Sequence, residues 1–123
     1  MRRTMARDER TAAKRSDRSK PLPNARLDQM IEEAIVDAYG ESEQITGFYT
    51  MLEDNLAVPF QTKILGVEVT VERVDMTDDE LLVAVCARGK SRQRVPILDL
   101  PLPDPRPEGA EWIDAFRRWA RGR

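Results

Sequence analysis

The chain has 123 residues, 41% apolar and 34% charged, with a net charge of −2, one cysteine and no histidine, a composition that suits one soluble domain with its own core. Without His there is no base titrating near neutrality, no Ser-His or Cys-His nucleophile and no imidazole metal ligand, and the scattered glycines form no phosphate-cradling loop, so enzymatic chemistry is not expected. No apolar run approaches the roughly 20 residues that span a bilayer, and the Arg-rich start lacks the apolar region of a secretion signal, which leads to the expectation of a cytoplasmic location.

Residues 1–26 carry nine Arg or Lys against Asp8, Glu9 and Asp17, a local charge of +6 that leaves −8 for the remainder. So polar a stretch buries too little apolar surface to order itself. A disordered basic arm over 1–26 is therefore expected, followed by a single domain over 27–123. Leu27, Met30, Ile31, Ala34, Ile35 and Ala38 recur at three- and four-residue steps, which predicts a helix. Asn24 or Asp28 would cap its start, and Gly40 would supply the left-handed residue at its end. Ser42 fits the cap of a second helix with the stripe Ile45, Phe48, Tyr49, Leu52 and Leu56, stopped at Pro59. So short a connection predicts an antiparallel helical hairpin.

Beyond Pro59 the period changes to two. Val67, Val69 and Val71 alternate with Glu68, Thr70 and Glu72, predicting a strand with one wet face, and Phe60–Leu65 is read as the strand before it. Leu81–Ala87 is apolar on both alternations, as a central strand requires, and Arg88-Gly89-Lys90-Ser91 is the turn into a partner over Arg92–Ile97. Cys86 lies in this apolar run without a disulfide partner and is read as a buried, inert thiol. Pro101, Pro103, Pro105 and Pro107 require an extended connector. A last helix follows, with Trp112, Phe116 and Trp119 on one face, acids in its first turn and arginines in its last. The fold expected is α+β: a helical hairpin, a four-stranded antiparallel SH3-like curled sheet or barrel, and a closing helix.

The charge pattern bears on function. Between Arg26 and Lys63 there is no basic residue, yet Asp28, Glu32, Glu33, Asp37, Glu41, Glu43, Glu53 and Asp54 all lie there. Salt, a basic partner or a hard cation held by oxygens must offset them. Asp37, Glu41 and Glu43 gather at the predicted interhelical turn. Glu53 and Asp54 close the second helix, expected near Asp28 and Glu32 at the start of the first. A third group, Asp75, Asp78, Asp79 and Glu80, occupies a strand-connecting loop, where Asp is also favoured for backbone reasons. A helix of about twelve residues is roughly 18 Å long, so its two ends cannot share an ion. None of the groups spells the helix-loop-helix calcium motif, and solvated surface and ion site both remain open. A different partner is suggested by the basic arm with Arg88, Lys90, Arg92 and Arg94. Bare of aromatic residues, that patch could touch nucleic acid or a ribosome only through phosphates.

The run from Ile35 to Gln44, continued by Gly47-Phe48-Tyr49 and by Leu52 to Phe60, then by Val95 to Leu100 and the Trp112–Trp119 helix, resembles the small calcium-binding protein family described from cyanobacteria and other bacteria. The resemblance covers nearly everything after the arm. It implies an α+β protein that binds Ca²⁺ through acidic surface residues in calcium buffering or signalling, without catalysis. By analogy Asp37, Glu41 and Glu43, and secondarily Glu53 and Asp54, carry the ligands, with Mg²⁺ as a competitor. Gly40 and Ser42 stand where the family commonly carries further acids, which implies weak affinity and a shell completed by water.

Overall fold

The computed structural model describes residues 22–122. Two helices, α1 (Asn24–Ala34) and α2 (Glu41–Asn55), precede four strands, β1 (Phe60–Ile64), β2 (Val67–Met76), β3 (Leu82–Arg88) and β4 (Ser91–Pro96). A 3-10 turn at Ile97–Asp99 and the helix α3 (Glu111–Arg121) complete the α+β fold. The expected arm falls mostly outside the described residues, and its last three positions, Asn24 to Arg26, form the first turn of α1.

The apolar stripes do what their spacing requires. Leu27, Met30 and Ala34 of α1, Phe48, Leu52 and Leu56 in and just after α2, and Trp112, Ile113, Ala115 and Phe116 of α3 are buried against the sheet residues Val71, Val74, Leu82, Ala84 and Cys86. Phe48 is fully buried, with its ring 5.5 Å from that of Phe116 and 5.2 Å from that of Trp119. α1 rests on α3 as well as on α2, so the three described helices pack as a group in which a separate α1–α2 hairpin is not distinguished. Neither expected cap is used. α1 starts after Pro23, whose carbonyl accepts from the Arg26 and Leu27 amides, and α2 starts after Gly40 without a side-chain cap. Ser42 lies inside the first turn of α2, its hydroxyl turned to another partner.

The sheet is an antiparallel meander of order β1-β2-β3-β4. Both outer strands end as edges, so it is open, and the expected barrel does not close. Tight turns at Leu65-Gly66 and Gly89-Lys90 place two hairpin tips at one end of the sheet, with left-handed backbone at Leu65, Gly66 and Gly89, as two-residue hairpins demand. The β2–β3 loop lies at the other end. Pairing of Val71 with Cys86 and of Val74 with Ala84 puts these four on the helix-facing side, with a register shift between Val71 and Arg73. On the opposite face Val83 pairs with Asp75 and Pro96, and Val85 with Arg73 and Arg94. Both valines stand outside the main core cluster yet are only 2% and 5% exposed, with Arg73 and Arg94 as cross-strand neighbours of Val85 on that face. Asp75 accepts from Arg73 at 3.4 Å and lies 3.8 Å from Arg94.

The proline-rich connector is extended as predicted and tied down by polar contacts. The buried Thr62 hydroxyl of β1 donates to the Pro101 carbonyl at 2.7 Å. Arg117 of α3 donates to the carbonyls of Ile97, at 2.8 and 3.1 Å, and of Leu100. Arg106 pairs with Asp114 at 2.7 Å in a site where neither side chain is more than 14% exposed. The amide of Ala57, just after α2, donates to the Glu108 carbonyl at 2.8 Å. Next to that bond Gly109 has φ of +88°, and a Cβ there would collide with the backbone of Asn55 and Leu56. Gly109→Ala is therefore expected to cost about 2–4 kcal/mol, from strain and collision together. Gly40→Ala, in open space with extended backbone, should stay within about 0.5 kcal/mol. Urea unfolding of the two variants checks the contrast.

Candidate metal centre

The α1–α2 connection is built differently from its predicted form. α1 ends at Ala34, and Asp37, with φ of 64°, takes the left-handed position expected at Gly40, whose own φ of 175° is extended. Asp tolerates that conformation because its short polar side chain can bond locally. Asp37 thus lies beyond the helix, in the turn itself. The Tyr39 amide donates to Glu43 Oε1 at 2.9 Å, and the Gln44 amide to the Gly40 carbonyl at 3.0 Å. These bonds close the corner around Glu41 and Glu43, which occupy the first turn of α2, where negative charge is favourable. The C-terminal end of α1 and the N-terminal end of α2 carry opposite partial charges, so the carboxylates set the field there. Asp37, Glu41 and Glu43 are all exposed.

One further carboxylate reaches this corner across 38 residues. Glu80, at φ of 65° in the β2–β3 loop, accepts a hydrogen bond from the Ser42 hydroxyl. The loop is shaped by Thr77, whose amide donates to the Leu81 carbonyl at 3.0 Å while its hydroxyl accepts from the Leu81 amide at 3.1 Å. The third acidic group is therefore adjacent to the first. Local sequence carries no signal for that contact, which depends on the length of β2 and on the docking of α2 over the sheet.

At the other end of α2, Glu53 and Asp54 are exposed, and their surroundings are mixed in charge. Burial and a hydrogen bond to Glu53 push the Tyr49 phenol above its usual range, and Arg73 lines the same shallow hollow as Tyr49 and Glu53. Asp28 does not join them. It accepts from Arg118 of α3 at 2.7 and 3.3 Å, which replaces the expected grouping of Asp28 with Glu53 and Asp54. Oxygen donors suit a hard cation in type. Yet among the described residues no three His, Cys, Asp or Glu side chains stand together in a way that could hold a metal ion. Any ion bound here must draw its ligands inward.

The basic hairpin is less available than its sequence suggests. Arg92 makes two bonds to Glu72, at 3.0 and 2.9 Å, and Arg94 lies beside Asp75, while Arg88 and Lys90 stand at the exposed tip. Cys86 is buried, and burial raises its thiol pKa, in keeping with an inert role. Asp75 is held below the usual carboxylate value of 3.8, first by the Met76 amide and then by Arg73. A carboxyl depressed in the folded state contributes stability that is present above its unfolded pKa and is lost as pH falls through its folded one. Asp75→Asn should therefore destabilise the protein near pH 6, and the gap to wild type should close as pH falls below about 3.9. Urea unfolding from pH 6 to 2 reads both.

Among the described residues no helix is long and apolar enough to cross a membrane. Comparison with curated proteins and with solved structures gave no significant match. A family model described as calcium binding, of the CcbP type, matches residues 28–120. That span runs from the first half of α1 to the last turn of α3 and contains the whole acidic corner, the sheet and the proline connector. The chain belongs to this calcium-binding family.

Proposed function

We propose that the protein is a non-enzymatic, low-affinity Ca²⁺ binder acting in calcium buffering or signalling, with Asp37, Glu41 and Glu43 as its principal ligands. Glu53 and Asp54 form a weaker second locus. The observation that carries this reading is family membership across residues 28–120. Three features support low affinity at the corner. Glu43 is already engaged by the Tyr39 amide, and Glu80 by the Ser42 hydroxyl, so an ion must share or displace both. The side chains do not start converged, and ordering them subtracts from the binding free energy. With few protein oxygens at hand, water supplies much of the six-to-eight-oxygen shell. Release from Ser42 would let Glu80 add an oxygen from the β2–β3 loop. Mg²⁺ competes for the same carboxylates, under stricter octahedral demands. Contact with nucleic acid through Arg88, Lys90, Arg92 and Arg94 gains no support, since Arg92 and Arg94 face carboxylates.

Titration with Ca²⁺ to millimolar concentration should move backbone amide resonances between Asp37 and Glu43 and at Glu80, with Mg²⁺ producing smaller changes. Uniform small shifts, alike for both ions, would sink the proposal. In calorimetry Asp37→Asn should weaken binding by roughly tenfold, equivalent to about 1.4 kcal/mol, and Glu80→Gln by a smaller factor. Heats indistinguishable from wild type for Asp37→Asn would remove the corner from the site.

A further inference from the structure

At the end of the sheet that carries the two hairpin tips lies a hollow of about 750 Å³ lined by no helix residue. Ile64, Val67, Val69 and Val95 line it together with Leu65, Arg88 and the polar β4 residues Arg92 and Gln93. Leu65 is the anomaly. It is 98% exposed and sits at φ of 52°, so it bears both the strain of a left-handed branched residue and the hydration of a whole apolar side chain, with no packing among the described residues to offset either. Arg88 and Lys90 make this end basic. The opposite end presents the reverse. Around the acidic corner Val36 is 67% exposed, Tyr39 89% and Leu81 43%, interleaved with Asp37, Glu41, Glu43 and Glu80.

We propose that the hollow beside Leu65 receives the acidic corner of a second copy of this chain, joining molecules head to tail. Each end has what the other lacks: a part-apolar recess beside Arg88 and Lys90 on one side, an exposed tyrosine and leucine flanked by carboxylates on the other. The contact cannot form within one molecule. β2 runs the length of the sheet between the two ends with ten residues, roughly 33 Å at the rise of a strand. Because two unlike surfaces meet, the contact is heterologous, and it continues into chains unless the rotation closes a ring. Complementary charge fixes register and speeds encounter, while Leu65 and Tyr39 provide the buried anchors. The inference does not rest on Ca²⁺ binding, but an ion at the corner would neutralise the carboxylates that the contact uses, so the two compete.

Sedimentation velocity on the full chain in EDTA, from roughly 10 to 500 µM, should show a sedimentation coefficient that rises with concentration. The rise should shrink between about 20 and 500 mM NaCl as charge is screened. Arg88→Ser with Lys90→Ser removes the charge of one end, and Glu41→Gln with Glu43→Gln that of the other, so the two altered ends do not attract each other. All four positions are exposed, and thermal unfolding verifies that each variant folds. Each double variant alone should lose self-association by at least about tenfold, whereas an equimolar mixture should form a one-to-one dimer that goes no further, because each partner keeps one intact end. Three results overturn the proposal: a wild-type chain that stays monomeric throughout, a mixture that stays monomeric, or association that survives the Arg88 and Lys90 changes. The last outcome would assign the acidic corner to another basic partner, such as residues 1–21.

Discussion

The position of α2 decides the rest, and α2 is held by aromatic packing. Phe48 lies in the middle of the helix between Phe116 and Trp119, two residues separated by a single turn of α3. Aromatic pairs at such separations contribute beyond the apolar area they bury. On the neighbouring side Gly47 meets the carbonyl of Ala34 so closely that no side chain fits, which fixes where the end of α1 abuts α2. The far end of α2 is stapled to the connector by the Ala57–Glu108 bond beside Gly109. With α2 fixed at its middle and at its end, its first turn has a defined place over the β2–β3 loop, and the corner carboxylates inherit that place.

Charge is distributed around this frame in two ways. Where carboxylates face the sheet or α3 they are paired: Glu72 with Arg92, Asp75 with Arg73 and Arg94, Asp28 with Arg118, Asp114 with Arg106. Apart from the largely buried Arg106–Asp114 pair, these are exposed pairs that contribute little each, but all of them remove those acids from the set that could bind a cation. The corner acids are treated differently. Glu43 is held by a backbone amide and Glu80 by a hydroxyl, neutral donors that bring no positive charge to the corner. A family that binds calcium and a corner that keeps its charge are thus consistent with each other.

Periodicity made the main elements readable. The stripes of α1, α2 and α3, the alternating Val67-Val69-Val71 and the doubly apolar Leu82–Cys86 each have one stable solution, and the structure adopts it. Helix ends were harder, because the competing signals are weak and local. Gly40 looked like a terminator, but an Asp three residues earlier could take left-handed backbone, and Ser42 was drawn away from capping by a loop far along the chain. Asp28 is the same kind of case: its helix position suggested an acidic cluster, and only the docking of α3 reveals Arg118 beside it. Closure into a barrel depends on strand shear and tilt, which side-chain alternation does not encode. Of the acidic corner, Asp37, Glu41 and Glu43 were legible as a turn; Glu80 was not, since its arrival depends on tertiary contacts.

The ring of Trp119 that packs on Phe48 also couples the first turn of α2 to an optical signal. Trp119 donates its indole N–H to Gln44 at 3.1 Å, and Gln44 follows Glu43 directly in the chain. The same ring that anchors α2 through Phe48 is thereby wired to the first turn of that helix. Emission from an indole depends on the polarity and hydrogen bonding around its nitrogen, so any rearrangement of that turn is transmitted to an intrinsic fluorophore. The molecule carries its own optical gauge of the corner, and no dye needs to be attached to read it.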